Sequence, residues 1–208
     1  GISINYFNKK YIYTDAIAKN IFIEGIDVSN LTREEAINYI NENITPSDIQ
    51  LNYDGETNII SLDEIDLKYN TSEVVDEAYN YTKTDSYFEN IKRFFDLNKN
   101  IKNLEIKSLY NENKLSEKIQ SISESINVAM ENAKVYISDS GNISASSATI
   151  GKELDIAATK ESIYDAIKNK DYKAIDLKVN IKQPKINTEA AKSVNTLLAE
   201  FSTKFSTN

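Results

Sequence analysis

Apolar residues along this chain switch repeatedly between two spacings, and the switches predict where helices and strands alternate. The first stretch, Ile2 to Asn20, has no clean period: Tyr6, Phe7, Tyr11, Ile12 and Tyr13 stand among lysines, which reads as a stalk or a docked segment. Ile21 to Val28 is rich in strand formers and interrupted by the turn-permitting Gly25. Thr32 and Glu35 then make a capping box, each able to satisfy the other's backbone N–H, and Ala36, Ile37, Tyr39 and Ile40 supply a helical stripe up to Asn43. At Ile49 the period becomes two. Ile49, Leu51 and Tyr53 alternate with polar residues, Asp54-Gly55 is a favoured tight turn, and Thr57 to Ser61 return, so a hairpin is expected. Asn70 is the expected cap of a helix carrying Val74, Val75 and Ala78. In Tyr87 to Leu97, Phe88, Phe94 and Phe95 fall at helical spacings and are expected in the core.

The same grammar restarts near Asn100. Leu104 and Ile106 alternate with charges, Asn111 precedes a helix bearing Leu115, Ile119, Ile122 and Ile126, and Ala133 to Ser138 and Ile143 to Thr149 flank an Asp139-Ser140-Gly141-Asn142 turn. Asp155 caps a further helix with Ala158, Ile163, Ala166 and Ile167. Ile175, Leu177, Val179 and Ile181 alternate strictly with polar residues, the clearest strand in the chain, ended by Pro184. A last helix runs from Thr188 through Leu198 towards Phe205.

The caps Asn70 and Asp155 lie 85 residues apart, and the turn glycines Gly55 and Gly141 lie 86 apart, which suggests a duplication. The expected fold class is therefore α+β: two tandem modules, each a small mixed or antiparallel sheet with helices packed on one face. The expected segments are a stalk at 1–19, modules at 20–100 and 101–186, and a C-terminal helix at 187–208. In the second module alternation assigns Lys134, Tyr136, Ser138, Asp176, Lys178 and Asn180 to one polar sheet face.

Composition narrows the chemistry. The 208 residues include no Cys and no His, which removes thiol and imidazole catalysis, disulfides and nearly every zinc, copper, haem or iron–sulfur site. No phosphate-cradling glycine loop, Gly-x-Ser-x-Gly elbow or Asp-rich calcium loop is present. Acid clusters such as Asp63-Glu64-Asp66 and Asp54/Glu56 read as solvated turns and helix starts rather than paired catalytic carboxylates or calcium ligands. No catalytic residue, cofactor or metal is expected. A net charge of -8 disfavours nucleic acid as a partner. No run of about 18 apolar residues occurs, and neither does a signal peptide. The chain opens with Gly1 and its one methionine is Met130, as expected of a piece of something longer. Tyr6 to Tyr13 with Lys9 and Lys10 suits either a bilayer surface or a docked segment.

Three strings carry a family resemblance. Ile23-Glu24-Gly25-Ile26-Asp27-Val28-Ser29-Asn30-Leu31-Thr32-Arg33-Glu34-Glu35-Ala36 resembles the entry motif of the extracellular region of VanW-like proteins. Lys134 to Ile156, with Ile150-Gly151-Lys152-Glu153-Leu154-Asp155, resembles part of the peptidoglycan-binding domain of that family, a domain that also precedes some L,D-transpeptidase catalytic domains. Leu197 to Thr207 resembles the Glu-Phe-Ser-Thr segment at which the VanW domain begins. The resemblance covers about residues 20 to 208. It implies a Gram-positive envelope protein exposed outside the cell, anchored by an N-terminal membrane helix and continued by a VanW-like domain, both outside this chain.

On this reading the chain is a non-catalytic module pair that binds peptidoglycan or spaces a VanW-like domain from the membrane. Tyr136 would stack on a sugar face, Ser138 and Asn180 would bond its substituents, and Lys178 would meet a stem-peptide carboxylate, with Lys134 and Asp176 beside them. The competing account of that face is a solvated sheet surface whose tyrosine serves β propensity. Other readings are a scaffold for an envelope protein and the N-terminal region of an L,D-transpeptidase.

Overall fold

The computed structural model describes residues 2–206; Gly1, Thr207 and Asn208, which belong to the stalk and to the Glu-Phe-Ser-Thr-like tail named above, lie outside the described residues. In chain order the elements begin with α1 (Ile2–Phe7), continued by a π-helical turn (Asn8–Ile12), then β1 (Ile21–Ile23), β2 (Ile26–Asp27), α2 (Arg33–Asn43), β3 (Ile49–Tyr53) and β4 (Glu56–Ile60). A short 3-10 turn (Asp63–Ile65) leads to β5 (Lys68–Tyr69), α3 (Thr71–Asn80), α4 (Tyr87–Asp96), β6 (Lys102–Leu104), β7 (Ser108–Leu109) and α5 (Glu112–Ile126). The remainder is β8 (Val135–Ile137), β9 (Ile143–Ala145), β10 (Gly151–Leu154), α6 (Ile156–Asn169), β11 (Ile175–Asp176), β12 (Val179–Lys182) and α7 (Thr188–Phe205). The fold is mixed α and β, with small mixed or antiparallel sheets ordered β2-β1-β6, β11-β3-β4, β5-β7, β8-β9 and β10-β12.

The chain divides into two compact units, each assembled from separated stretches. One takes residues up to Ile49, Ser61–Glu112 and Asp165–Lys173; the other takes Gln50–Ile60, Asn113–Tyr164 and the chain from Ala174 on. In the first unit β1 pairs antiparallel with β2 and parallel with β6, and α2 and α3 cover the apolar side. Its core gathers Ile21, Ile23, Val28, Ala36, Ile40, Val74, Val75, Ala78, Leu97 and Leu104. The β1–β2 turn is Glu24-Gly25, both at positive φ, the two-residue geometry that matches strand twist. The expected capping box is present: Glu35 N donates to Thr32 Oγ1 at 3.2 Å and Thr32 N to the Glu35 carboxylate at 3.3 Å. Asp54-Gly55 also turns at positive φ in both residues, as the β3–β4 hairpin requires.

Four local expectations change. Asn70 precedes α3 without capping it, because its Oδ1 accepts instead from Lys107 N at 2.7 Å, beside the β5–β7 pair. Of the three phenylalanines expected in the core only Phe94 is buried; Phe88 is 89% and Phe95 53% exposed. Positions 88, 91 and 95 fall on one side of α4 while 90, 94 and 97 fall on the other, and the latter side faces inward. The strand expected at 175–181 is two strands. Up to Leu177 the backbone serves β3, with Leu177 N donating to Asn52 O at 2.8 Å, and from Lys178 it serves β10, with Lys178 O accepting from Asp155 N at 2.9 Å. As a result, the six residues assigned to one face occupy several ladders: alternation tells which side of a strand a residue takes, and long-range pairing tells which sheet the strand joins.

Candidate functional site

The Ile150-Gly151-Lys152-Glu153-Leu154-Asp155 string supplies β10, one strand of the β10–β12 ladder in the second unit. Gly151 is buried because Met130 presses on it: a Cβ at this position would lie 2.7 Å from Met130 Cβ and 3.0 Å from its backbone N. Leu154 points into the interior at 3% exposure. Asp155 ends the strand and starts α6, its Oδ1 accepting from Ala158 N at 3.0 Å. That backbone donor first, and the Lys178 ammonium after it, hold the Asp155 carboxyl below the usual carboxylate range.

Opposite this strand, β12 runs antiparallel in the register Glu153↔Asn180 and Gly151↔Lys182. Partners across a ladder share a side, so one face presents Glu153, Asn180 and Lys182, while Leu154 and Val179 line the other. Two ion pairs span the strands. Lys178 Nζ lies 3.4 Å from Asp155 Oδ2, and Lys182 Nζ pairs with Glu153 Oε2. The Lys178 and Lys182 side chains are 68% and 60% exposed. Pairs in such contact with water contribute little to stability, so either ammonium can turn to a ligand carboxylate at small cost. Asn180, also exposed, adds an amide donor and acceptor between them.

The structure brings Lys178 and Asn180 together on this face and distributes the other four residues elsewhere in the unit. Tyr136 stands on β8 opposite Ser144, half exposed. Lys134 precedes it, its backbone N–H donating to Ser146 Oγ at 2.9 Å, and Ser138 follows, its Oγ accepting from Asn142 N at 2.9 Å to close the turn at Gly141. Asp176 pairs with Asn52 in the β3–β11 ladder. Sequence reasoning missed Glu153 and Lys182. Their signal is the charge pattern: acids two apart in Glu153-Leu154-Asp155 and lysines in Lys178 to Lys182 complement one another once the strands run antiparallel. Among the described residues no group of three or more acids converges as a metal site, and the Asp63-Glu64 acids sit in a 3-10 turn.

One family model, described as "Putative peptidoglycan binding domain", matches residues 59–176, more than half of the chain. It includes Lys134, Tyr136, Ser138, Glu153, Asp155 and Asp176, and ends just before β12. No curated protein and no solved structure matches the chain.

Proposed function

The chain belongs to the family of the putative peptidoglycan binding domain, and from that premise we propose that it is a non-catalytic cell-wall-binding module of the envelope whose contact surface is the polar face of β10 and β12. The observation that carries this reading is the pair of exposed lysines, Lys178 and Lys182, held against Asp155 and Glu153 with Asn180 between them. Stem peptides of the wall carry carboxylates, amides and amines, which such an alternating face meets group for group. Tyr136, half exposed on the β8–β9 hairpin of the same unit, supplies an aromatic face for sugar stacking. The strings that resemble VanW-like proteins support a finer placement: exported, anchored at the cell surface of a Gram-positive bacterium, and set between the membrane and a VanW-like domain.

The test is sedimentation with purified peptidoglycan sacculi stripped of teichoic acid, with an unrelated acidic protein as control. Retention of the wild-type chain, with a drop of about fivefold or more in a Lys178→Ala/Lys182→Ala variant and a smaller drop in Tyr136→Ala, is expected from losing two charge-assisted contacts. Retention no greater than the control removes the wall as ligand. Retention unchanged in the variants moves the contact off this face.

A scaffold reading draws on a different observation. Along α7, Val194, Leu197, Phe201 and Phe205 form an exposed apolar stripe at helical spacing, with the Phe201 and Phe205 rings 5.7 Å apart. Capture of an envelope protein that a Leu197→Asp/Phe201→Asp variant loses, with sacculus retention intact, would favour it.

A further inference from the structure

The first unit carries an aromatic surface that its own core does not use. Phe7 packs edge-on against Phe94 at 5.4 Å and stacks on Phe95 at 6.2 Å, Tyr11 lies 5.5 Å from Phe94, and the Tyr87 hydroxyl donates to Asn8 Oδ1 at 2.9 Å. These contacts fix α1 and the π-helical turn against α4, and the apolar groups they leave outside are therefore held in place. Phe88 is 89% exposed, Ile4 62% and Phe95 53%; together with Phe7, Tyr87 and Ile91 they line a cleft of about 390 Å³ that is open to solvent. Tyr11 packs against Phe7 at 5.2 Å, and Tyr6, Tyr11 and Tyr13 of the same segment are all exposed. Eight aromatic residues of the chain's 13 Tyr and 7 Phe fall in residues 6–13 and 87–95, a concentration that core packing alone does not call for.

The charge of this patch differs in sign from that of the molecule. The chain carries -8, yet residues 2–14 hold Lys9 and Lys10, both exposed, and no acid. Lys10 Nζ lies over the Tyr6 and Tyr11 rings at 5.5 and 5.2 Å, which keeps the ammonium at the aromatic rim. On α4 itself Glu89 is paired with Arg93 at 3.0 Å, and Asp96 balances Lys92. We propose that this patch docks on the surface of an anionic phospholipid bilayer, Phe88, Phe95 and Ile4 entering the headgroup–acyl boundary while the tyrosines and Lys9 and Lys10 lie at headgroup level. Phenyl and aliphatic groups at the centre with tyrosine and lysine around them is the composition that bilayer interfaces select. An anionic surface meets Lys9 and Lys10 with opposite charge along the whole patch, and a second copy of the chain is the competing occupant that sedimentation velocity tests.

Flotation of the 208-residue chain with phosphatidylcholine vesicles, with and without about 30% phosphatidylglycerol, tests the proposal at about 0.1 M salt, where the ~10 Å screening length separates the patch from the acidic remainder. Binding is expected to anionic vesicles over neutral ones, to fall at about 0.5 M salt, and to fall about fivefold for each lysine removed in Lys9→Ala and Lys10→Ala. Phe88→Asp is expected to abolish it with an unchanged melting curve, since that side chain is almost wholly in water. Three results would overturn the proposal: no binding to anionic vesicles, binding that survives Phe88→Asp, or a lipid-free dimer in sedimentation velocity that Phe88→Asp dissolves. The wall-binding face plays no part in this test, and sacculus retention of Phe88→Asp should equal wild type.

Discussion

Lys83 shows how a polar residue can be tied into an apolar surrounding. Its ammonium donates to the Ala16 and Tyr79 carbonyls at 2.7 and 3.2 Å and lies 4.2 Å from the centre of the Tyr79 ring, against which the Arg33 guanidinium also packs at 3.9 Å. Burial first, and the nearby Arg33 charge second, pull its pKa down to about 8. The unfolded chain then holds more protons than the folded one between about pH 8 and the ordinary lysine value of 10.5, so this group makes stability rise with pH across that window. Tyrosine ionisation near pH 10 opposes it at the upper end: burial, then the hydrogen bond to the Tyr172 hydroxyl, pushes the Tyr69 hydroxyl upward. A Lys83 ¹³Cε signal titrating near 8 is the expected NMR result, and Lys83→Met should flatten the stability rise between about pH 8 and 9.5. A midpoint above 10 would show the amine to be open to water. Lys170 solves a related problem with partners: its ammonium meets Glu24 Oε1 at 3.0 Å and the Ile106 carbonyl at 2.9 Å.

At the level of elements, the ladder of β10 and β12 depends on one residue with no side chain. Gly151 has an ordinary backbone conformation, so its role is space: a methyl group there would press on Met130 and, at 3.1 Å, on Lys182 Cβ. Gly151→Ala is expected to cost about 1–3 kcal/mol, as overpacking at a fixed backbone contact does, and to weaken sacculus retention because it shifts Lys182. Urea unfolding measures the first effect; a midpoint equal to wild type would mean that the strand moves aside freely. Elements also differ in how readable they were. The turns Glu24-Gly25 and Asp54-Gly55 and the Thr32–Glu35 box depend on bonds within a few residues and could be named from the chain alone. The division of the 175–181 strand at Leu177 depends on Asn52 and Asp155, far away in sequence, and had no local mark.

For the whole molecule, the charge of -8 sets how it approaches its surroundings. Stripped sacculi carry many carboxylates, so long-range repulsion opposes the short-range lysine contacts proposed for β12. Raising salt from about 0.01 to 0.15 M shortens the screening length from ~30 to ~8 Å, which removes the repulsion before it touches contacts of hydrogen-bond length. Sacculus retention is expected to rise over that interval and to level off, measured by the same sedimentation; a steady fall would indicate that the cations dominate at long range. No helix among the described residues is long and apolar enough to cross a membrane.

The linear order of residues by itself determined the α+β class, most helix starts, both tight turns and the polar character of the alternating strand, because each follows from the preferences of a few neighbouring residues. The same order, through its three strings, pointed to wall binding, which the family match over residues 59–176 supports. Tertiary structure alone decided that β10 meets β12 across α6, bringing Glu153 and Lys182 to the candidate face and leaving Tyr136 and Asp176 on other ladders. It alone decided which of two apolar stripes α4 would bury, turning Phe94 inward and Phe88 to water. The reason is common to both: a helix stripe or a strand face states what it would bury, and the partner that covers it is chosen by contacts between residues distant in the chain.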